Sequence, residues 1–311
     1  MKYPIGLQSF DQLIEDGYVY VDKTDMVYSL ATEGKIYFLS RPRRFGKSLL
    51  VSTLKNYFLG RKELFKGLKI ESLEKDWKVY PVFHLDFNGT DYTISGQLER
   101  KLRYYITSWA EQCSLPERSK ELGLGDLFSE VIRAAHQNTG MRAVVLIDEY
   151  DKPILDVLDV DKNLEEEHRN ILKGFYSVFK SADEHLQFVF LTGVTKFSQV
   201  SVFSGFNQPF DISMHGKYET LCGISQTELD DKFQEPITNM SQTYGCSYEE
   251  MRFMLKDHYD GYHFSKNMTD VYNPFSLLNA FATLDISDYW FKSGTPTYLI
   301  RLLSHTNENM N

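Results

Sequence analysis

The stretch "YFLSRPRRFGKSLLVSTL", residues 37–54, holds the side chains best suited to chemistry at one point. An apolar run of β-formers leads into Gly46-Lys47-Ser48, and an apolar helical pattern follows. A phosphate-binding loop needs that order, because the first amides of the helix and its dipole face the anion. Lys47 can reach β- and γ-phosphates, the Ser48 hydroxyl can ligate Mg²⁺, and Gly46 lets backbone approach phosphate closely. Arg43, Arg44, Phe45 and Leu49 complete the cradle expected to touch the cofactor. One feature departs from the usual Walker A spacing. The position of the first glycine holds Arg41, followed by Pro42, Arg43 and Arg44. A GKS tripeptide alone is therefore a moderate signal.

A second stretch strengthens it. "VVLIDEYD" places β-formers before Asp148-Glu149, as a Walker B strand would. Asp148 would hold Mg²⁺ through water, and Glu149 would activate the attacking water as general base. In a parallel sheet both motifs end at the same edge, where ligands bind. The plainer alternative is an acidic turn after a buried strand; it leaves the upstream GKS unexplained. A third stretch, "FVFLTGVTKFS", ends a buried strand in Thr192, the expected sensor of γ-phosphate, with Lys196 as second candidate. A plain capping role for Thr192 competes with that reading. The guanine-reading NKxD pattern is absent, so ATP is favoured over GTP, and no lid motif points to a small-molecule kinase.

Other candidates carry less. Arg41, Arg43 and Arg44 are either solvated turn charges or include one that meets phosphate or pairs with Asp148, Glu149 or Asp151; arginine's fork suits either partner. "YVYVDKT" just upstream could form an adenine pocket with Asp22 or Lys23 at the base, although core and capping roles explain each residue more simply. His258 and His263 flank "YDGY" without metal-ligand spacing. No metal site is expected beyond nucleotide-bound Mg²⁺. An arginine finger could come from a neighbouring subunit or from the helical module, where Arg252 and Arg301 are the candidates; the sequence does not choose between these sources.

Positioning these residues takes a large α/β framework. The chain has 311 residues, 42% of them hydrophobic, enough for a packed core and for more than one domain. A net charge of -9 argues against a globally basic nucleic-acid binder. Cys113, Cys222 and Cys246 are far apart, which suggests neither a zinc site nor a disulfide framework. The N-terminus lacks a signal-peptide core, and no window reaches the roughly 20 apolar residues of a membrane helix; a cytoplasmic protein is expected. Strands are expected at "KIYFLS", "YPVFHLDFN", "RAVVLIDEYD" and "LQFVFLTGV", with helices between them. Continuous apolar strands alternating with helices imply a mainly parallel sheet covered on both faces. Residues 1–215 are read as this P-loop ATPase domain. After that, "SQTELDDKFQEPITNMSQTYG", "SYEEMRFMLKDHY" and "NPFSLLNAFATL" read as helices and "GYHFSKNMTDVYN" as a hairpin, giving a smaller, mostly helical, winged-helix-like module over 216–311.

With these motifs the chain resembles the AAA-ATPase-like family of bacterial P-loop ATPases, related to archaeal-type and STAND ATPases. The matching pieces are "GLQSFDQLIEDGYVYVDKT", "FLSRPRRFGKSLL", "VVLIDEYDKP", "FLTGVTKFSQVSVFSGFN", "YDGYHF", "VYNPFSLLNAF" and "YWFKSGTPTYLI", in order along the chain. The resemblance implies that "RPRRFGKS" is the family's usual Walker A variant. It also implies nucleotide and Mg²⁺ roles for Lys47, Ser48, Asp148 and Glu149. Many members carry a C-terminal nuclease-like domain; the chain is expected to stop before one. "YDGYHF" reads as core of the helical module, and its recurrence in the family also suggests contact with the nucleotide or the ATPase face. The expected activity is Mg-dependent ATP hydrolysis driving a switch between ATP and ADP states, with a protein partner or a second copy reading it. The alternative is a P-loop scaffold that does not hydrolyse.

Overall fold

The computed structural model describes residues 1–117, 121–196, 202–203 and 208–290. Its centre is a five-stranded sheet of β1 (Ile36–Ser40), β2 (Val82–Asp86), β3 (Ala143–Asp148), β4 (Leu186–Gly193) and β5 (Phe210–Asp211). The order is β2-β3-β4-β1-β5, and every pairing is parallel. The four expected strands are present. The two-residue β5 at the edge carries too little pattern to be read from sequence. β3 is buried at every position, which is why it reads as an unbroken apolar run.

Register fixes where the polar strand ends fall. Asp86 of β2 pairs with Asp148 of β3, and Leu39 of β1 pairs with Thr192 of β4. The loops that follow β1, β2, β3 and β4 therefore leave the sheet at one edge. β4 lies between β1 and β3, so its end stands between the two motif-bearing strands.

Helices cover both faces. α1 (Phe10–Glu15), α2 (Thr24–Glu33) and α3 (Lys47–Phe58) bury Phe10, Val27, Leu30, Val51 and Leu54 against one side, with the short α4 (Ile70–Leu73) beside them. α5 (Gln97–Gln112), α6 (Leu124–Thr139) and α8 (Lys162–Ser181) cover the other, where Phe128 and Phe175 stack with ring centroids 4.8 Å apart. α7 (Lys152–Leu155) is a single turn between β3 and α8. Each fully buried Leu or Phe contributes about 1.5–3 kcal/mol. α3 ends as its sequence indicates, with Gly60 at φ 67° just past the cap. Residues 18–23 join neither sheet. Asp22 Oδ1 instead accepts the Thr24 amide at 2.9 Å, and Asp22 Oδ2 accepts the Lys69 amide at 2.7 Å.

A second, smaller core forms around Leu229, Phe233, Ile237, Met251, Leu255, Leu277 and Phe281. It joins α9 (Gln226–Lys232), α10 (Gln234–Tyr244), α11 (Tyr248–Tyr259) and α12 (Pro274–Thr283) to a three-stranded antiparallel sheet. That sheet runs β6 (Ile224–Ser225), β8 (Asp270–Tyr272), β7 (Tyr262–His263), so the expected hairpin is there. Ser225 with Glu228 and Ser247 with Glu250 form capping boxes at α9 and α11. The segment 226–244 splits at Phe233, where φ is -121°. Pro236 accounts for the break: it has no N–H for the carbonyl of Lys232, and its ring would clash there.

Candidate nucleotide site

The loop between β1 and α3 begins where the Arg41 amide donates to the Gly193 carbonyl at 3.1 Å. It turns through two left-handed residues, Arg44 at φ 68° and Gly46 at φ 90°. A side chain on Gly46 would be strained there and would project into open space, with no atom within 4 Å of its Cβ. Gly46 caps α3 without a side-chain bond, and Gly46, Lys47, Ser48 and Leu49 line a cavity of about 500 Å³. Arg43 and Arg44 stand at the same cavity, whereas the Phe45 ring is buried.

Lys47 is almost fully buried. Its ammonium lies 3.2 Å from Glu149 Oε1 and donates to the carbonyls of Arg41 and Pro42 at 3.1 and 3.3 Å. Glu149 also lines the cavity and sits at φ 55°, a left-handed conformation that costs a non-glycine residue energy. Burial holds its carboxyl above the usual range, against the opposing pull of Lys47. Asp148, one residue earlier, faces inward behind the cavity wall. Its Oδ1 accepts the Thr192 hydroxyl at 2.5 Å, and the Thr192 Oγ1 accepts the Glu149 amide at 3.4 Å. Strand order explains this: β4 is the neighbour of β3, so Thr192 meets Asp148 rather than the cavity.

Asp151, wholly buried, ties the turn after β3 to the turn after β4. It accepts the amides of Val194 and Thr195 at 3.1 and 2.8 Å and the Thr195 hydroxyl at 2.8 Å. Burial pushes this carboxyl upward too. Gly193 must be glycine here, since a Cβ would come within 2.5 Å of the Tyr150 ring.

The remaining cavity wall comes from residues to which the sequence reading assigned no chemical role. Pro4 to Gln8 of the N-terminal segment, Asn88 after β2, Lys152 and Leu155 of α7, and Pro274, Phe275 and Leu278 of α12 all line it. Lys152 pairs with Asp156 at 2.7 Å. An adjoining apolar recess of about 100 Å³ is lined by Val19, Tyr20, Val21, Lys23, Leu49, Leu50, Thr53 and Cys222, among others. Lys23 is buried there and pairs with Glu228 of α9 at 2.5 Å. Burial lowers its ammonium's pKa and pushes the Cys222 thiol up.

Several expected candidates fall elsewhere. Arg41 does not turn toward the cavity or the acids. It is buried, donates to the carbonyls of Ser213 and Tyr218 at 2.6 and 3.2 Å, and burial lowers its pKa to about 10. Lys196 pairs with Asp211 of β5 at 2.8 Å. Arg252 makes a bidentate pair with Asp230, both bonds 2.7 Å, away from the cavity. His258 pairs with Asp288 and His263 with Asp270. No group of metal-ligating residues stands out among the described residues. Arg301, "GTPTYLI" and most of "KFSQVSVFSGFN" lie outside the described residues. Within "YDGYHF", Tyr259 packs in the second core, while Tyr262 and Phe264 pack on Phe45 of the loop.

A parallel sheet with a glycine-lysine-serine turn feeding a helix at its C-terminal edge defines the P-loop NTPase class. The chain belongs to the AAA-ATPase-like family: the model described as "Predicted AAA-ATPase" matches residues 4–203. It is also similar to an "Uncharacterized protein in vnfD 5'region" of Azotobacter chroococcum mcd 1, 41% identical over 305 residues. That match takes in 97% of this chain and 56% of the relative, so the chain spans little more than half the relative's length. No helix among the described residues is long and apolar enough to cross a membrane.

Proposed function

We propose that the cavity binds ATP with Mg²⁺ and hydrolyses it, making the protein a nucleotide-driven switch. The observation that carries this is Lys47 and Glu149 facing one cavity from opposite motifs. A volume of about 500 Å³ lies within the usual range of roughly 300–1,000 Å³ for small-molecule sites. The open space over Gly46 fits phosphate oxygens held by the first amides of α3. Lys47 would leave Glu149 and the two carbonyls for the phosphates. Ser48 and Asp148 are the residues that would hold Mg²⁺, Ser48 at the wall and Asp148 from behind it. Bound Mg²⁺ supplies neutralising charge at the β- and γ-phosphate oxygens. Glu149, released from Lys47, would take the proton of the attacking water.

The apolar recess beside Leu49 suits a purine ring, with Tyr20 and Val21 at its wall and Lys23 at its edge. Thr192 would act through Asp148 rather than on phosphate. The division into an ATPase domain over 1–215 and a moving module over 216–311 belongs to the same reading. So does a protein partner or second copy that senses the state. Calorimetric titration with Mg·ATP, together with a phosphate-release assay, tests it. Binding lost in Lys47→Ala supports the site, and no binding by the intact protein overturns it. Binding without release would favour a scaffold that holds nucleotide unhydrolysed.

A further inference from the structure

The entry to the loop, from Arg41 to Phe45, is fastened to the segment that carries β7, β8 and α12. The Arg41 guanidinium lies over the Phe264 ring, 4.0 Å from its centroid, and that of Arg44 lies over Phe275 at 4.7 Å. The Arg43 carbonyl accepts the Trp290 indole N–H at 3.0 Å. Phe45, buried, meets Tyr262 edge-on at 4.7 Å and Phe264 at 5.4 Å. Four of the residues from Arg41 to Phe45 therefore engage partners between 262 and 290. Arg41 adds its bonds to Ser213 and Tyr218, in the segment that leads to the second sheet. Such burial of a guanidinium on carbonyls and an aromatic face serves attachment; a phosphate reader must turn its charge toward the ligand.

The same unit reaches the cavity a second time. Pro274, Phe275 and Leu278 of α12 form the wall facing Gly46 to Leu49. A ligand in the cavity touches the inner end of the loop and α12, while the outer end of the loop is fastened to β7 and α12. We propose that residues 41–45 are a strap that couples occupancy of the loop to the position of the second unit, and that this strap explains the arginines standing in place of the first glycine. The proposal rests on nucleotide binding at the loop. It assigns Tyr262 and Phe264, which do not line the cavity, as the receiving side of the coupling. Coupling requires that the ligand favour one arrangement of the strap over another.

Hydrogen exchange with Mg·ATPγS as probe tests this in the whole chain. In the unaltered protein the probe slows exchange at residues 44–50 and changes it several-fold at 259–275. In Phe264→Leu and Tyr262→Leu the loop stays protected and the change at 259–275 is lost. Circular dichroism checks that each variant folds; Tyr262→Leu, at a half-buried position, carries the test where Phe264→Leu does not fold. Loop protection with an unchanged 259–275 segment in the unaltered protein overturns the coupling alone. A response that persists in the folded variants overturns it too. Lack of any loop protection overturns the nucleotide reading, and the coupling with it.

Discussion

Lys47 and Glu149 form an ion pair of 3.2 Å at the cavity, joining the loop before α3 to the turn after β3. If the cavity holds nucleotide as proposed, Glu149 competes with phosphate for the lysine. In Glu149→Gln the competitor is neutral, so Mg·ATP is expected to bind at least as tightly as in the unaltered protein. Turnover should fall by roughly 10²–10⁴-fold, the usual worth of a positioned general base. Fluorescent-nucleotide titration and phosphate release measure both. Unchanged turnover would remove Glu149 from the base role.

The pH profile follows from the same carboxyl. Burial raises the Glu149 pKa, and neighbouring Asp151 and Asp148 raise it further, while Lys47 opposes them. A base works only when ionised, so the rate falls as pH drops through that raised value. The acid limb of kcat/KM, which reports the free enzyme, should therefore lie above the ordinary glutamate value of about 4.3. A limb at or below that value would contradict a buried Glu149 as the base.

Asp151 offers a test of architecture rather than chemistry. Its carboxylate accepts donors from Val194 and Thr195 and closes the turn beside the site. Asp151→Ala leaves buried donors without a partner, at a cost of roughly 3 kcal/mol. Urea denaturation should show that loss, with Asp151→Asn milder because its amide oxygen can still accept. Gly193→Ala should destabilise too, since its Cβ would collide with Tyr150 and Asp151.

The legible parts of this molecule are those whose signal is local. β3 is recognisable because all its positions are buried, and α3 because its apolar spacing starts directly after Gly46. The break at Phe233 was missed within "SQTELDDKFQEPITNMSQTYG", although Pro236 is a local signal for it. Arg41 shows the opposite case. Its direction depends on carbonyls at Ser213 and Tyr218, far along the chain, so no local pattern tells a phosphate contact from an anchor. Asn88 and Lys152 reach the cavity because the sheet order brings the loops after β2 and β3 to one edge. Thr192 was identifiable as a polar strand end. Its partner, Asp148, became evident only from the placement of β4 beside β3.

That placement gives Thr192 a distinctive prediction. Its hydroxyl donates to Asp148 at 2.5 Å and lies 3.4 Å from the Glu149 amide, and the residue has no exposed surface. Valine preserves shape and removes the hydroxyl, so Thr192→Val should cost roughly 1 kcal/mol of stability. A residue that orients the Mg²⁺ ligand should show a second effect. The Mg²⁺ concentration needed for half-maximal turnover should rise several-fold, while ATP binding measured without Mg²⁺ stays the same. A purely structural threonine would lower stability and leave the Mg²⁺ dependence unmoved. A residue touching γ-phosphate itself would weaken ATP binding even without the metal. Titrating Mg²⁺ at saturating ATP, beside a metal-free binding measurement, separates these three outcomes.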